Sequence, residues 1–155
     1  MPRAAPKLRG AMHKDREAFI EMWKTFVDAK PSEPGNHDMA EVNWARINDP
    51  QHPLRCIIAV NDADDARGFT LFLDFPFTYS TKNVCYLLDI FVSPECRGRG
   101  YAGAMIEHLA SIGRSSGWYK IFWMTEADNY RSQQLYDRVA KRMNYIRYDL
   151  EVSAP

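Results

Sequence analysis

Residues 90–103 read Ile90-Phe91-Val92-Ser93-Pro94-Glu95-Cys96-Arg97-Gly98-Arg99-Gly100-Tyr101-Ala102-Gly103. A β-rich run enters a glycine-rich turn, and apolar residues at helical spacing follow from Ala102 through Met105, Ile106, Leu109 and Ile112. A strand feeding a helix through such a turn gathers free backbone N–H groups, with the positive end of the helix dipole, at one place. Phosphate is the group such a place suits. Gly98 and Gly100 let the backbone approach an anion without Cβ interference, and Arg97 and Arg99 add charge-assisted donors. A plain strand-to-helix turn with two solvated arginines is the bland alternative.

Working outward, Phe19, Met22, Trp23, Phe26 and Val27 form the stripe of an amphipathic helix after a short strand at 8–12. The run from Lys30 to Asn36, with two prolines and a glycine, breaks the chain, and a second helix is expected over 38–47. Three strands follow at 56–60, 68–75 and 84–92, separated by turn-forming segments, and antiparallel pairing is their natural arrangement. Beyond the helix at 102–112, a buried strand is expected at 119–125, a fourth helix through Leu135, Val139 and Met143, and a closing strand at 145–152. The fold class is therefore mixed α/β (α+β), a mostly antiparallel sheet flanked by about four helices.

The chain has 155 residues, 46% of them apolar and 13% aromatic, which suits one packed domain over residues 1–155 and excludes disorder. Twenty basic residues against twenty acidic ones argue against a uniformly basic nucleic-acid face. Cys56, Cys85 and Cys96 are an odd set without CxxC spacing, and the four histidines are isolated, so neither a disulfide framework nor a metal site is expected. With no leader and no apolar stretch of membrane-spanning length, a cytoplasmic protein with neither a membrane nor a nucleic-acid partner is the expectation.

Two phosphate-binding designs compete for the glycine turn. A Walker A loop is excluded because no Gly-Lys-Ser/Thr follows. Gly98, Gly100 and Gly103 do spell GxGxxG, with Glu126 roughly twenty residues on, but too little chain remains after residue 125 for a dinucleotide fold. A second polar stretch, Glu126-Ala127-Asp128-Asn129-Tyr130-Arg131-Ser132-Gln133-Gln134-Leu135-Tyr136, opens the last helix. Asn129 and Tyr136 fall on nearly one face of it, where they line a cleft unless Tyr136 is an ordinary packing tyrosine.

Arg97-x-x-Gly100-x-Ala102 after a strand, with Asn129-x-x-Ser132-x-x-Leu135-Tyr136 on the next helix, resembles the GNAT superfamily of acetyl-CoA-dependent N-acetyltransferases. The stretches Val84-Cys85-Tyr86-Leu87, Asp89-Ile90-Phe91-Val92, Trp123-Met124-Thr125 and Leu135-Tyr136-Asp137-Arg138-Val139-Ala140 are similar to the branch with fungal histone and polyamine acetyltransferases. The resemblance implies a sheet with a splayed central strand pair. It also implies acetyl-CoA as cosubstrate, with pantetheine along Ile90, Phe91 and Val92 and pyrophosphate on the N–H groups of Gly98, Arg99, Gly100, Tyr101, Ala102 and Gly103 beside Arg97. An amide near Phe91 or Val92 would serve as oxyanion donor, Tyr136 would protonate the departing thiolate, and Asn129 would hold the pantetheine or order the helix start.

The implied reaction is direct attack by a primary amine through a tetrahedral intermediate, the amine being a polyamine, a lysine side chain, an amino acid or another small amine. This branch usually carries Glu-Asp where the chain has Leu88-Asp89, so the expected base is missing. Strand alternation puts Leu88 and Asp89 on opposite faces, leaving deprotonation to ordered water and Asp89, Glu126 or a backbone carbonyl. Asp38, Glu41, Asp74 and Glu126 suit a cationic acceptor, and Phe75, Phe77 and Tyr79 either wall the amine pocket or pack the sheet. The loss at Leu88 keeps a different class open, a non-catalytic acetyl-CoA sensor or interaction module. The edge character of 145–152 points to a homodimer.

Overall fold

The computed structural model describes residues 5–30 and 36–153, in two compact units that divide between Met124 and Thr125. The proline-rich break at 31–35 lies outside the described residues. In the first unit a five-stranded sheet runs in the order β1 (Lys7–Gly10), β2 (Arg55–Val60), β3 (Ala66–Pro76), β4 (Asn83–Val92) and β5 (Ile121–Phe122). Every pairing is antiparallel except β4 with β5, which is parallel. This is the mixed, mostly antiparallel sheet that the strand runs imply.

One face of the sheet carries α1 (Arg16–Asp28) and α2 (Met39–Asn48). Phe19, Met22, Trp23 and Val27 of the α1 stripe bury against Ile58, Val60, Phe69, Leu71 and Phe91, with Ala40 and Trp44 of α2. Phe19, Trp23, Phe26, Phe69 and Phe91 form one connected aromatic cluster, and burial of such large rings dominates the energetics of a core this size. The opposite face carries α3 (Tyr101–Ser116), whose Tyr101 and Met105 pack on Ala59, Cys96, Ile90 and Val92.

The N-terminal corner is fixed by charge. The Arg9 guanidinium grips both oxygens of the buried Asp15 carboxylate, at 2.7 and 3.0 Å, while Asp15 also accepts the Met12 N–H at 2.8 Å. Burial pushes the Asp15 carboxyl up, but these hydrogen bonds outweigh it and hold the group below its ordinary range. Arg9 and Lys14 both also pair with Asp64 in the turn between β2 and β3.

In the second unit α4 (Tyr130–Val139) starts at an Asn129 cap. Three expected elements come out differently, the first being α4 itself, which stops at Val139, short of Met143. The strand expected at 119–125 is reduced to the two half-buried residues of β5, and Met124 is exposed. Residues 145–152 form no strand: Tyr145, Tyr148, Leu150 and Val152 are at least 80% exposed. Alternation prepares a segment for a sheet, but only a neighbouring strand's N–H and C=O groups complete a ladder.

Candidate active site

β4 holds its two neighbours unequally. On one side β3 accompanies it along its whole length, whereas on the other β5 pairs only at Cys85↔Ile121 and Tyr86↔Phe122. The ladder to β5 ends there, so Leu87 to Val92 leave an open edge, the splay that the resemblance implies. The Ser93 N–H donates to the Arg67 carbonyl at 2.8 Å. Because polar groups alternate sides along a strand, the Phe91 N–H turns toward β3, and the N–H and C=O of Ile90 and Val92 turn to the open edge. The Phe91 N–H is thus engaged by β3, and the Val92 N–H faces the open edge. The Arg97 side chain crosses the same edge, with Nε 3.0 Å from the Val92 carbonyl and the guanidinium over the Phe91 ring.

Beyond Val92 one 3₁₀ turn, Pro94–Cys96, leads into the glycines. Gly98 and Gly100 have φ of +72° and +81°, and a Cβ built on either meets nothing within 4 Å. Only glycine takes that conformation without strain, and the space beside it is open. Gly100 caps α3, and the Ala104 N–H is the one that reaches back to its carbonyl, at 2.9 Å. The N–H groups from Gly100 to Gly103 thus precede the helical hydrogen bonds and face outward as donors. Arg97, Gly98, Arg99 and Gly100 are exposed, while the Tyr101 ring is buried in the core. Tyr101 accordingly contributes its amide to this cradle, not its phenol. The pyrophosphate of a coenzyme A fits such a group of donors, dipole and arginines.

The strand before the cradle contains a bulge. Leu71 pairs with Asp89 and Phe72 with Leu87, which leaves Leu88 without an opposite number. Leu88 packs on the α1 and α2 core, and Asp89, opposite Leu71 of that same core, lies 4.0 Å from Lys30 at the end of α1. Both side chains therefore occupy the α1 face. Plain alternation, which put them on opposite faces, fails because the bulge adds one residue. Lys30, seen in sequence only as the start of a chain break, joins this neighbourhood across a distance along the chain that no local pattern reports.

Other expected contributors lie elsewhere. Phe75 packs on Phe122, and Phe77 between Tyr79 and Tyr119, all near the start of β4. That is about 30 Å of extended strand from Val92, too far to wall an amine pocket there. Asp74 is tied at that same end to Arg55 and to the Asn83 amide, and Glu41 pairs with Arg16. Cys96 is buried, and burial pushes the Cys85 thiol up to about 12, so neither is placed as a nucleophile. Among the described residues no group of three or more His, Cys, Asp or Glu is placed to hold a metal.

In the second unit, the Asn129 side chain accepts the Ser132 N–H and donates to Thr125 Oγ1, both at 3.2 Å. Of its two expected roles, it performs the ordering of the helix start. Gln133 fastens the preceding loop by donating to the carbonyls of Glu126 and Ala127. Tyr136 is half-buried two turns along α4, and burial pushes its phenol up against the opposing hydrogen bond with Ser132.

Residues 18–140 match the acetyltransferase (GNAT) family. The chain belongs to that family. As a GNAT acetyltransferase it takes its acyl group from acetyl-CoA. It is 28% identical over 136 residues to a D-amino-acid N-acetyltransferase of Saccharomyces cerevisiae, covering 87% of this chain and 84% of the relative. A peptidyl-lysine N-acetyltransferase of Salmonella typhimurium is 27% identical over 107 residues, 68% of this chain and 65% of that one. Among solved structures, a ribosomal-protein-alanine N-acetyltransferase from Brucella melitensis biovar Abortus 2308 superposes with a TM-score of 0.79 at 21% identity, covering 96% of this chain and all of that one. The GNAT fold, with its splayed strand pair, is thereby shown.

Proposed function

We propose that this acetyltransferase moves the acetyl group of acetyl-CoA to a primary amine of a small molecule or a lysine side chain, by direct attack of the amine on the thioester. The observation that carries the reading is the continuity of β4: an open strand edge at Ile90 and Val92 leads directly into the glycine cradle that opens α3. Acetyl-CoA supplies an activated carbonyl; the chain has to bind, orient and move protons. The edge of Ile90 and Val92 receives the pantetheine amides, Arg97 and Arg99 with the N–H groups from Gly98 to Gly103 hold the pyrophosphate, and the Val92 N–H faces the carbonyl oxygen as negative charge develops.

Asp89 is the group we assign to draw the proton from the incoming ammonium, directly or through one water. Its place on the face of Leu88 supports this and counts against the sensor reading. Tyr136 is assigned as the acid for the thiolate. Its phenol is protonated at neutral pH, the form an acid needs, and burial shifts it further in that direction. The curated relatives' acceptors, a D-amino acid and a peptidyl lysine by name, support an aminic acceptor here. Three unpaired cysteines suit a cytoplasmic setting, and the exposed alternating segment at 145–152 suits a homodimer. No described helix is long and apolar enough to cross a membrane.

The test is CoA release from acetyl-CoA across a panel of amines. Turnover with at least one amine, lost in Asp89→Asn, is the expected result. Calorimetric acetyl-CoA binding without turnover of any amine would replace the enzyme with a sensor.

A further inference from the structure

Lys30 and Asp89 meet on an aromatic shelf. Lys30 Nζ lies 5.0 Å from the centre of the Phe26 ring, which meets Phe91 and Phe69 edge-on at 6.2 and 5.8 Å. The two charged side chains are 36% and 21% exposed, so they are reachable from solvent yet stand in a medium where charge acts more strongly than in water. Their separation of 4.0 Å is longer than a hydrogen bond, so the pair attracts without closing.

The pair also lies on the right side of the sheet. The phosphate cradle opens α3, on one face, whereas Lys30 and Asp89 occupy the face of α1. On the acetyltransferase reading, a donor held from one face and an acceptor arriving at the other would meet at the open edge of β4 between them. Asp89 is two residues from Phe91 and three from Val92, whose amide is assigned to the reacting carbonyl.

We propose that Lys30 and Asp89 together bind a zwitterionic α-amino acid, Lys30 taking its carboxylate and Asp89 its ammonium, so that a free amino acid is the acceptor. This rests on the acetyltransferase reading and narrows it. An α-amino acid carries its ammonium and its carboxylate on one carbon, and it gives Lys30 and Asp89 each a charge-assisted hydrogen bond, of opposite sense. A polyamine brings a second cation toward Lys30 and is repelled. An amino-acid amide keeps the ammonium but leaves the lysine unmatched, and a site built around a charge rejects the analogue that lacks its partner. In the reaction the nitrogen of the acceptor bonds to the acetyl carbon and the C–S bond breaks. The thiolate takes one proton, and the other proton lost by the ammonium leaves through Asp89 to solvent.

The experiment compares alanine (the better enantiomer), alaninamide and spermidine as acceptors for the full chain and for Lys30→Gln and Lys30→Arg, with folding checked by circular dichroism. The parent should prefer alanine to alaninamide by about tenfold or more in kcat/KM. In Lys30→Gln the ratio should fall toward one through a raised KM for alanine, and in Lys30→Arg it should survive. A parent that acetylates alaninamide or spermidine as well as alanine, or a folded Lys30→Gln protein that keeps the preference, overturns the proposal. Should no acceptor turn over, the transferase reading fails by itself and calorimetry on the acetyl-CoA complex decides the anchor. Alanine binding that Lys30→Gln abolishes then sustains it, and equal affinity for alanine and alaninamide overturns it.

Discussion

At the scale of single residues, backbone conformation and proton affinity carry the chemistry. Gly100 holds φ at +81° at the mouth of α3. A β-branched side chain there costs about 1–2 kcal/mol in left-handed strain and fills the space that an anion needs. Gly100→Val should therefore remain folded and lose measurable acetyl-CoA affinity; calorimetry showing parental affinity in a folded variant would remove the cradle from the binding site. Tyr136→Phe should lower kcat by roughly 10²- to 10⁴-fold with little change in acetyl-CoA affinity, since a proton donor acts only as the thiolate forms. Because the phenol is shifted upward, the alkaline limb of kcat assigned to it should lie above the ordinary tyrosine value of 10.0. A packing tyrosine instead predicts near-parental kcat with a stability loss of about 1 kcal/mol.

At the scale of elements, local charge fixes how α1 leaves β1. Arg9 on β1 and the Met12 N–H both bind Asp15, the residue that caps α1. Since the folded-state pKa of Asp15 is lowered, its contribution is fully present above the unfolded value of 3.8 and fades as pH falls through the folded value. Asp15→Asn should cost roughly 1.5–3 kcal/mol at neutral pH, by denaturant unfolding, and the difference from the parent should shrink below pH 3.8. An unchanged gap at low pH would mean that packing, not charge, sets the Asp15 contribution. The bulge at Leu88 is the other decisive local feature. One added residue turns Asp89 onto the α1 face, where Lys30 stands, while β4 keeps β3 as its partner on both sides of the bulge.

For the whole molecule, the exposed alternating segment bears on assembly. Ile146, Tyr148, Leu150 and Val152 alternate with Arg147, Asp149 and Glu151, and the apolar set is almost fully exposed. A second copy of this chain is the occupant we expect to complete a ladder with it. Sedimentation should give a dimer at micromolar concentration, and Leu150→Lys should shift it toward monomer. A parent that sediments as a monomer would show that the segment needs no partner.

Much of this protein is written in periodicity. The α1 stripe from Phe19 to Val27, the three strand runs and the glycine turn are local patterns, each set by spacing within a dozen residues, and they locate the elements and the turn that opens α3. The family resemblance is likewise carried by the spacing of Arg97, Gly100, Asn129 and Tyr136, and the family match spans residues 18–140. Pairing is another matter. Where β5 stops accompanying β4, how the register slips at Leu88, and which of the Phe91 and Val92 amides faces the open edge all depend on hydrogen bonds between segments far apart in sequence. Alternation says that successive side chains differ in face, but it carries no register, so a bulge that moves Asp89 to the side of Lys30 becomes visible only once both strands are in place.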